Sequence, residues 1–437
     1  MTRPLKKQRD HLQMKRLYIA NQGDIPEIDE IRWLVNAISR KNPIALSGDP
    51  GHGKSSAIRF ASDIADIPVF VRNCQTHEQT FDYLGRPILE DGRTSYALTQ
   101  FTSALKEGGL LINEESGEMP SEIQKYLSTL LSDDWLDFVV LDEKGNERSL
   151  RYMRDNEKWN VDGFIYSETF NPPTGNTGRD NFEFSHKSRM NPFNFRDLDS
   201  VLAAYIAFDT IGESFSLPLV ERGVLFDRDT GKITFTESTD GKWCTMNGNI
   251  LDKTQMKQQN SYLFFDKRSV EDNAVKEKLF SEIKAKNQFY YDLMLFLTGV
   301  RGLVNPDVFE YDSLGERAAR MIPERDKNET LLIVYPDQRM ITMGFLAFHS
   351  YKKQFGEKVA RLGAAYDVIN KILHGALSKR ELNSGTSQAS FLKVIASEVG
   401  LIPRPEDVAF VFDNPAREVP GGVGHGKGVS FDEYGEF

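Results

Sequence analysis

The stretch Gly48-Asp49-Pro50-Gly51-His52-Gly53-Lys54-Ser55 constrains this chain more than any other. Its spacing, GxxxxGK[ST], falls between a short apolar run, Ile44-Ala45-Leu46, and a helix-forming run from Ser56 to Ala61. Strand, glycine-rich loop and helix in that order make a phosphate-binding loop. Glycines let successive backbone N–H groups curl round a phosphate with no Cβ in the way. The helix turns its N-terminus, the positive end of its dipole, toward the same anion. In this pattern the lysine, Lys54, reaches the β- and γ-phosphates and the Ser55 hydroxyl holds Mg²⁺. The residues expected to bind nucleotide are Gly48, Asp49, Pro50, Gly51, His52, Gly53, Lys54, Ser55 and Ser56, with ATP and Mg²⁺ as cofactors. A chance glycine-rich turn is the competing reading, and it leaves the flanking strand and helix without a reason.

At 437 residues the chain is too long for one ordinary domain and suits two or three. With 40% hydrophobic and 27% charged residues it reads as a soluble globular protein. A net charge of -10 argues against non-specific nucleic-acid binding over the whole surface, but not against a local basic patch. Cys74 and Cys244 are too few for a disulfide framework, which fits a reducing, cytoplasmic setting. No apolar stretch is long enough to span a membrane. Residues 1–25 read as a basic N-terminal arm.

Ile28, Ile31, Leu34, Val35 and Ile38 have helical spacing ahead of the loop, and Pro68 to Val71 reads as a second strand. Leu98, Phe101 and Leu105 mark one face of a helix closed by Gly108-Gly109. Next comes Leu110-Leu111-Ile112-Asn113-Glu114-Glu115, an apolar strand ending in acids. Such a strand supplies the other half of a nucleotide-hydrolysing site: one position in the Mg²⁺ shell, the next polarising the attacking water. Two registers fit. Either Asn113 stands at the metal with Glu114 as base, or Glu114 stands at the metal with Glu115 as base. Then follow a helix begun by Pro120, a hairpin turning through Lys144-Gly145-Asn146, and a strand over Gly163 to Ser167 leading to Asn171-Pro172. Asn171, polar at a strand tip, is a candidate to touch the γ-phosphate or the water. A further helix is expected from Asp197 to Phe208.

Beyond residue 210, Gly223 to Phe226, Asp229 to Lys232 and Ile233 to Thr236 read as strand, turn, strand, within a β-rich insertion over 211–270. It carries no phosphate-binding chemistry. It is expected to be dispensable for basal turnover, serving as surface decoration or as a docking element. Val275, Leu279, Ile283, Phe289, Leu293 and Phe296 predict one long helix; Phe355, Val359, Leu362, Tyr366, Ile369 and Leu373 predict another. A shorter helix is expected over about Ser390 to Val399, and the tail, 413–437, is polar and glycine-rich.

From about Ile28 to Phe208 this order of parts resembles an AAA+ ATPase, in the branch of the MoxR, CbbQ/NorQ and gas-vesicle GvpN proteins, the dynein-related AAA domains. The loop Gly48 to Ser55, the helix from Leu98 to Gly109 and the acidic strand carry the resemblance. It implies an α/β fold: a P-loop NTPase AAA+ core over 26–210, with a parallel sheet flanked by helices, then the β-rich insertion and a helical lid over 271–412. With Pro120 placed at the family's proline, the first register is preferred. Asn113 then replaces the usual Asp at the metal, which implies slow turnover, and Glu114 is the base. Asn171 resembles the sensor 1 residue. Arg189 resembles the arginine finger that acts on the neighbouring subunit's nucleotide, with Arg179 and Arg196 as competitors. Arg339, opening a lid helix, resembles sensor 2. The resemblance further implies a homo-oligomeric, hexameric ring that couples ATP hydrolysis to remodelling or maturing a protein client, in this family often one with a von Willebrand A-type domain. Two rivals stay open: a nucleic-acid-directed motor of a restriction or phage system, and a nucleotide-gated scaffold with little turnover.

Overall fold

The computed structural model describes residues 18–20, 29–49, 51–90, 93–133, 136–141, 147–152, 163–171, 188–227, 229–322, 336, 339–376 and 386–403. The chain forms two units. One is Met1–Asp197 with Leu219–Lys267; the other is Leu198–Pro218 with Arg268–Phe437.

The first unit is built on five parallel strands: β1 (Ile44–Ser47), β2 (Val69–Asn73), β3 (Gly109–Glu114), β4 (Phe164–Phe170) and β5 (Asn191–Asn194). Their order is β5-β1-β4-β3-β2. Helices cover both faces, so a central strand reads as an unbroken apolar run. Leu110, Leu111 and Ile112 of β3 are all fully buried. Alternation along β3 sends Leu110 and Ile112 to the face covered by helices Glu30–Ser39 and Lys54–Ile64, in one cluster with Leu34, Ala57 and Ile58. It sends Leu111 to the opposite face, with Phe101, Leu105, Ile123 and Leu127 of helices Gln100–Glu107 and Ser121–Asp133. Each such buried aliphatic side chain contributes roughly 1.5–3 kcal/mol. Thr99 caps the helix of Phe101 and Leu105, so Leu98 lies outside it, after a hairpin (Arg86–Glu90 with Arg93–Ala97) that the sequence reading missed. The expected second hairpin is present as Leu136–Leu141 with Glu147–Tyr152; its turn lies outside the described residues.

The β-rich segment is a second sheet of this same unit. Its strands are β6 (Leu219–Phe226), β7 (Ile233–Thr239), β8 (Lys242–Thr245) and β9 (Asn260–Phe265), with Ile19–Ala20 paired parallel to β9. Val224, Tyr262 and Phe264 share one hydrophobic cluster with Ala57 and Ala61 of the phosphate-loop helix. Tyr18 stacks on Phe60 of that helix at 5.2 Å. The segment is therefore part of the core's packing, and its removal strips apolar cover from the phosphate-loop helix.

A buried charge staples this sheet to the core. Asp29 caps helix Glu30–Ser39 by accepting from the Arg32 amide at 2.7 Å. The same carboxylate accepts from Arg222 Nη1 at 2.7 Å and from the Tyr262 hydroxyl at 2.9 Å. Asp29→Ala should lower the stability of this unit by about 3 kcal/mol, the range for breaking a buried ion pair. Asp29→Asn, which keeps the cap, should lower it less. Urea unfolding of both variants checks the order.

In the second unit, helix Ser200–Thr210 is buried nearly all round, and Phe208 meets Tyr290 at 5.1 Å and Phe345 at 5.0 Å. A helix apolar on every side needs cover on every side, which is why it belongs here and not at the end of the nucleotide-binding core. Each of the two long helices expected from spacing is two helices. Asn287 is extended and caps Phe289, dividing Asn273–Lys286 from Gln288–Val304. Gly356, at φ 81°, divides Arg339–Phe355 from Glu357–Ala376 and leaves Phe355 and Val359 exposed. Helix Thr386–Glu398 matches the last expected one. Among the described residues no helix is long and apolar enough to cross a membrane.

At the heart of this unit Arg301 is buried against Asp312, and Ser200 Oγ donates to Asp312 at 2.8 Å. Burial, then the Asp199 charge, pushes the Asp312 carboxyl up to about 6, against the pull of Arg301. A folded-state value above the unfolded one stabilises the fold below the unfolded value, about 4, and that contribution is lost as pH rises through 6. The stability advantage of the parent over Asp312→Asn should therefore shrink between pH 4 and 6, read as the difference between their melting temperatures.

Candidate nucleotide-binding site

The loop leaves β1 at Ser47 and enters helix Lys54–Ile64 with left-handed backbone at Gly51 (φ 87°) and Gly53 (φ 81°). At Gly48 a Cβ would stand 2.8 Å from the Phe195 carbonyl oxygen, so only glycine passes there beside the end of β5. Pro50 lies outside the described residues. Ser55 and Ser56 occupy the first turn of the helix.

Lys54 is the convergence point. Its Nζ donates to the carbonyls of Gly48 at 2.5 Å and Asp49 at 2.9 Å, and to Asn171 Oδ1 at 3.0 Å. The loop and the residue just past β4, 117 positions apart in sequence, thus meet on one ammonium group. Phosphate oxygens are better acceptors for that group than peptide carbonyls, because they carry charge.

The acidic strand end separates its residues by face. Asn113 is in phase with Leu111: it is fully buried, and its Nδ2 donates to the Tyr83 hydroxyl at 2.9 Å, away from the phosphate-loop helix. Glu114 is in phase with Ile112 and faces that helix, where its Oε1 pairs with Arg59 Nη2 at 2.9 Å. Arg59 follows Ser55 by four positions, so the two share one helix face. Glu114, not Asn113, is thereby the carboxylate on the side of Ser55. Glu115 is exposed and takes a left-handed conformation, φ 56°, opening the turn Ser116–Glu118. A hydroxyl and a carboxylate are the hard oxygen donors that Mg²⁺ prefers. The pair Ser55 and Glu114 offers such donors, whereas the Asn113 side chain is turned to Tyr83.

Three residues here were not found from sequence. Arg59 had a legible signal, a cation one turn beyond the Lys-Ser pair. Tyr83 and Asp197 had none, being brought in by the fold. His52 Nε2 lies 2.5 Å from Asp197 Oδ1 and its Nδ1 lies 3.4 Å from the Phe195 carbonyl oxygen, which ties the loop to the segment after β5. Cys74, just past β2, is buried, and burial pushes its thiol up to about 12, so it is not a nucleophile. Arg189 stands in the turn leading into β5, half-buried beside buried Met190. Arg196 is exposed after β5, and Arg179 lies outside the described residues. Arg339 is the exposed first residue of its helix in the second unit.

Residues 43–162 match the AAA domain of the dynein-related subfamily. Protein NorQ of Paracoccus denitrificans is 24% identical over 123 residues, which cover 28% of this chain and 45% of NorQ. The chain thus spans under half the length of that curated relative. Two solved structures resemble it: a candidate ATPase from Cytophaga hutchinsonii (16% identity, 41% of this chain and 50% of the other, TM-score 0.31) and NtrX from Brucella abortus (19% identity, 48% and 45%, TM-score 0.31). The match spans β1 with its phosphate loop and β3 with its acidic tip, the two halves of the site described above. Over residues 43–162, then, the chain is similar to the dynein-related AAA domains, and to NorQ over a comparable length.

Proposed function

We propose that the protein binds Mg²⁺-ATP at this site and hydrolyses it. The observation that carries the reading is Lys54, held between the loop carbonyls and Asn171 where the terminal phosphates belong. Lys54 and the loop amides bind the phosphates, and Asn171 orients the γ-phosphate or the attacking water. Glu114 and Ser55 hold the metal, which offsets phosphate charge when bound, and Glu115 takes the proton from the water. This is the second of the two registers, supported by the separation of Asn113 and Glu114 onto opposite faces. It also removes the reason to expect slow turnover. Arg339 is kept as the sensor 2 candidate. As in the MoxR-type branch, the protein works as a homo-oligomeric ring, hexameric, that remodels a protein client, with a von Willebrand A-type domain as the first candidate.

Lys54→Ala should weaken ATP binding at least a hundredfold, measured by titration with a fluorescent ATP analogue. Unchanged affinity rules out the site. Stimulation of turnover by DNA or RNA at physiological salt would instead favour a nucleic-acid-directed motor.

A further inference from the structure

We propose that Arg59 is a positioning residue for the metal: its guanidinium holds the Glu114 carboxylate in the orientation in which that group meets Mg²⁺. The proposal rests on the reading above that Glu114 and Ser55 hold the ion. Arg59 Nη2 donates to Glu114 Oε1 at 2.9 Å. Arg59 lies on helix Lys54–Ile64, which begins at the phosphate loop and carries Ser55 in its first turn. Four residues of helix set Ser55 and Arg59 roughly 6 Å apart along the axis, on one face. One rigid element therefore places both the serine hydroxyl and the cation that holds the carboxylate.

The Glu114 backbone is fixed already. Its carbonyl accepts from the Cys74 amide at 2.9 Å, continuing the ladder between β2 and β3. What is left to fix is the side chain. A carboxylate accepts at both oxygens, and the bond from Arg59 uses Oε1. Mg²⁺ demands near-ideal octahedral geometry, so a carboxylate free to rotate binds it less well than one that is held. Metal-ligating carboxylates are held by outer hydrogen bonds of this kind, and losing one costs about 10–100-fold in metal affinity.

The pair is a poor device for stability. The Arg59 side chain is 43% exposed and that of Glu114 21%, so water screens their attraction. Arg59 Nε is shut away from water without a hydrogen-bond partner, which subtracts from what the pair contributes. The same exposure decides the sign of the effect on the metal. A cation beside the carboxylate repels Mg²⁺, but repulsion through water is weak. Holding the carboxylate in place outweighs it.

The probe is Mn²⁺, which takes the same oxygen donors and is counted free in solution by electron paramagnetic resonance. The full chain is used with ADP bound, so turnover does not enter. Arg59→Met keeps an apolar stem and removes the guanidinium. Mn²⁺ affinity should fall about 10–100-fold in this variant, with metal-free ADP affinity and melting temperature as in the parent. Affinity should fall in Glu114→Ala too. Adding Arg59→Met to Glu114→Ala should change nothing more, because Arg59 acts through the carboxylate. Unchanged Mn²⁺ binding by Arg59→Met overturns the proposal, and tighter binding overturns it by making Arg59 a competitor of the ion. A further fall in the double variant overturns it as well. So does a lower melting temperature with weaker metal-free ADP binding in Arg59→Met, which marks a structural role. If Glu114→Ala binds Mn²⁺ like the parent, the assignment of Glu114 to the metal fails and takes this role of Arg59 with it. A loss in Glu114→Ala without one in Arg59→Met overturns the role of Arg59 alone.

Discussion

Glu115→Gln is expected to bind Mg²⁺-ATP as tightly as the parent and to turn it over about 10²–10⁴-fold more slowly, the usual contribution of a positioned general base. Glu115 stands past the last paired residue of β3, exposed, where a left-handed residue starts the turn. Glu114→Gln should act differently. It removes charge from the Mg²⁺ shell and from Arg59, so the Mg²⁺ concentration needed for half-maximal turnover should rise. Asn113→Asp should not raise turnover. It puts a carboxylate into a buried site beside Tyr83, with the buried Glu168 directly across from it on β4. Burying a charge beside that of Glu168 costs stability, with Arg72 across on β2 offsetting part of it, and the variant should melt earlier than the parent. Single-turnover hydrolysis with ATP affinity measured separately distinguishes the roles. If Glu115→Gln turns over normally while Glu114→Gln stops with Mg²⁺ binding intact, the base is Glu114.

Arg189→Ala is the second large effect, expected to lower turnover by about 10³–10⁵-fold if the residue stabilises charge on the transferred phosphoryl group. A guanidinium offers phosphate a planar fork of donors and never loses its charge. In the ring proposed above it acts on the nucleotide of the neighbouring subunit, so the decisive experiment is mixing. Arg189→Ala and Glu115→Gln proteins should each be nearly inactive alone. Mixed rings contain some interfaces with both groups intact, and activity should return in proportion. Confirmed subunit exchange without recovered activity, or normal turnover by Arg189→Ala alone, removes Arg189 from this role.

The parts legible in the sequence were those written in contiguous residues. The loop, the apolar β3 and the polar residue after β4 each carry a local pattern, and the fold brings Lys54 and Asn171 within 3.0 Å. At the acidic tip two patterns compete: family spacing favours Asn113 with Glu114, whereas strand alternation puts Asn113 with Leu111, on the face away from the phosphate-loop helix. The helix breaks at Asn287 and Gly356 had signals, a capping Asn and a left-handed Gly, that apolar periodicity overrode. Asp29 with Arg222, 193 positions apart, and His52 with Asp197 had none. Long-range polar pairs leave no trace in neighbouring residues.

The pairing of Ile19 with Leu263 sets a timetable for the newborn chain. Made at about 5–20 residues per second, a ribosome delivers the partner of Ile19 on the order of 10–50 s after Ile19 itself. Through that interval the phosphate-loop helix has emerged but lacks the strands that cover Phe60 and neutralise Asp29. The helix Ser200–Thr210, destined for the other unit, is made in between and is already apolar all round. Nascent chains halted before residue 260 should therefore recruit chaperones strongly, and release should follow soon after β9 leaves the exit tunnel.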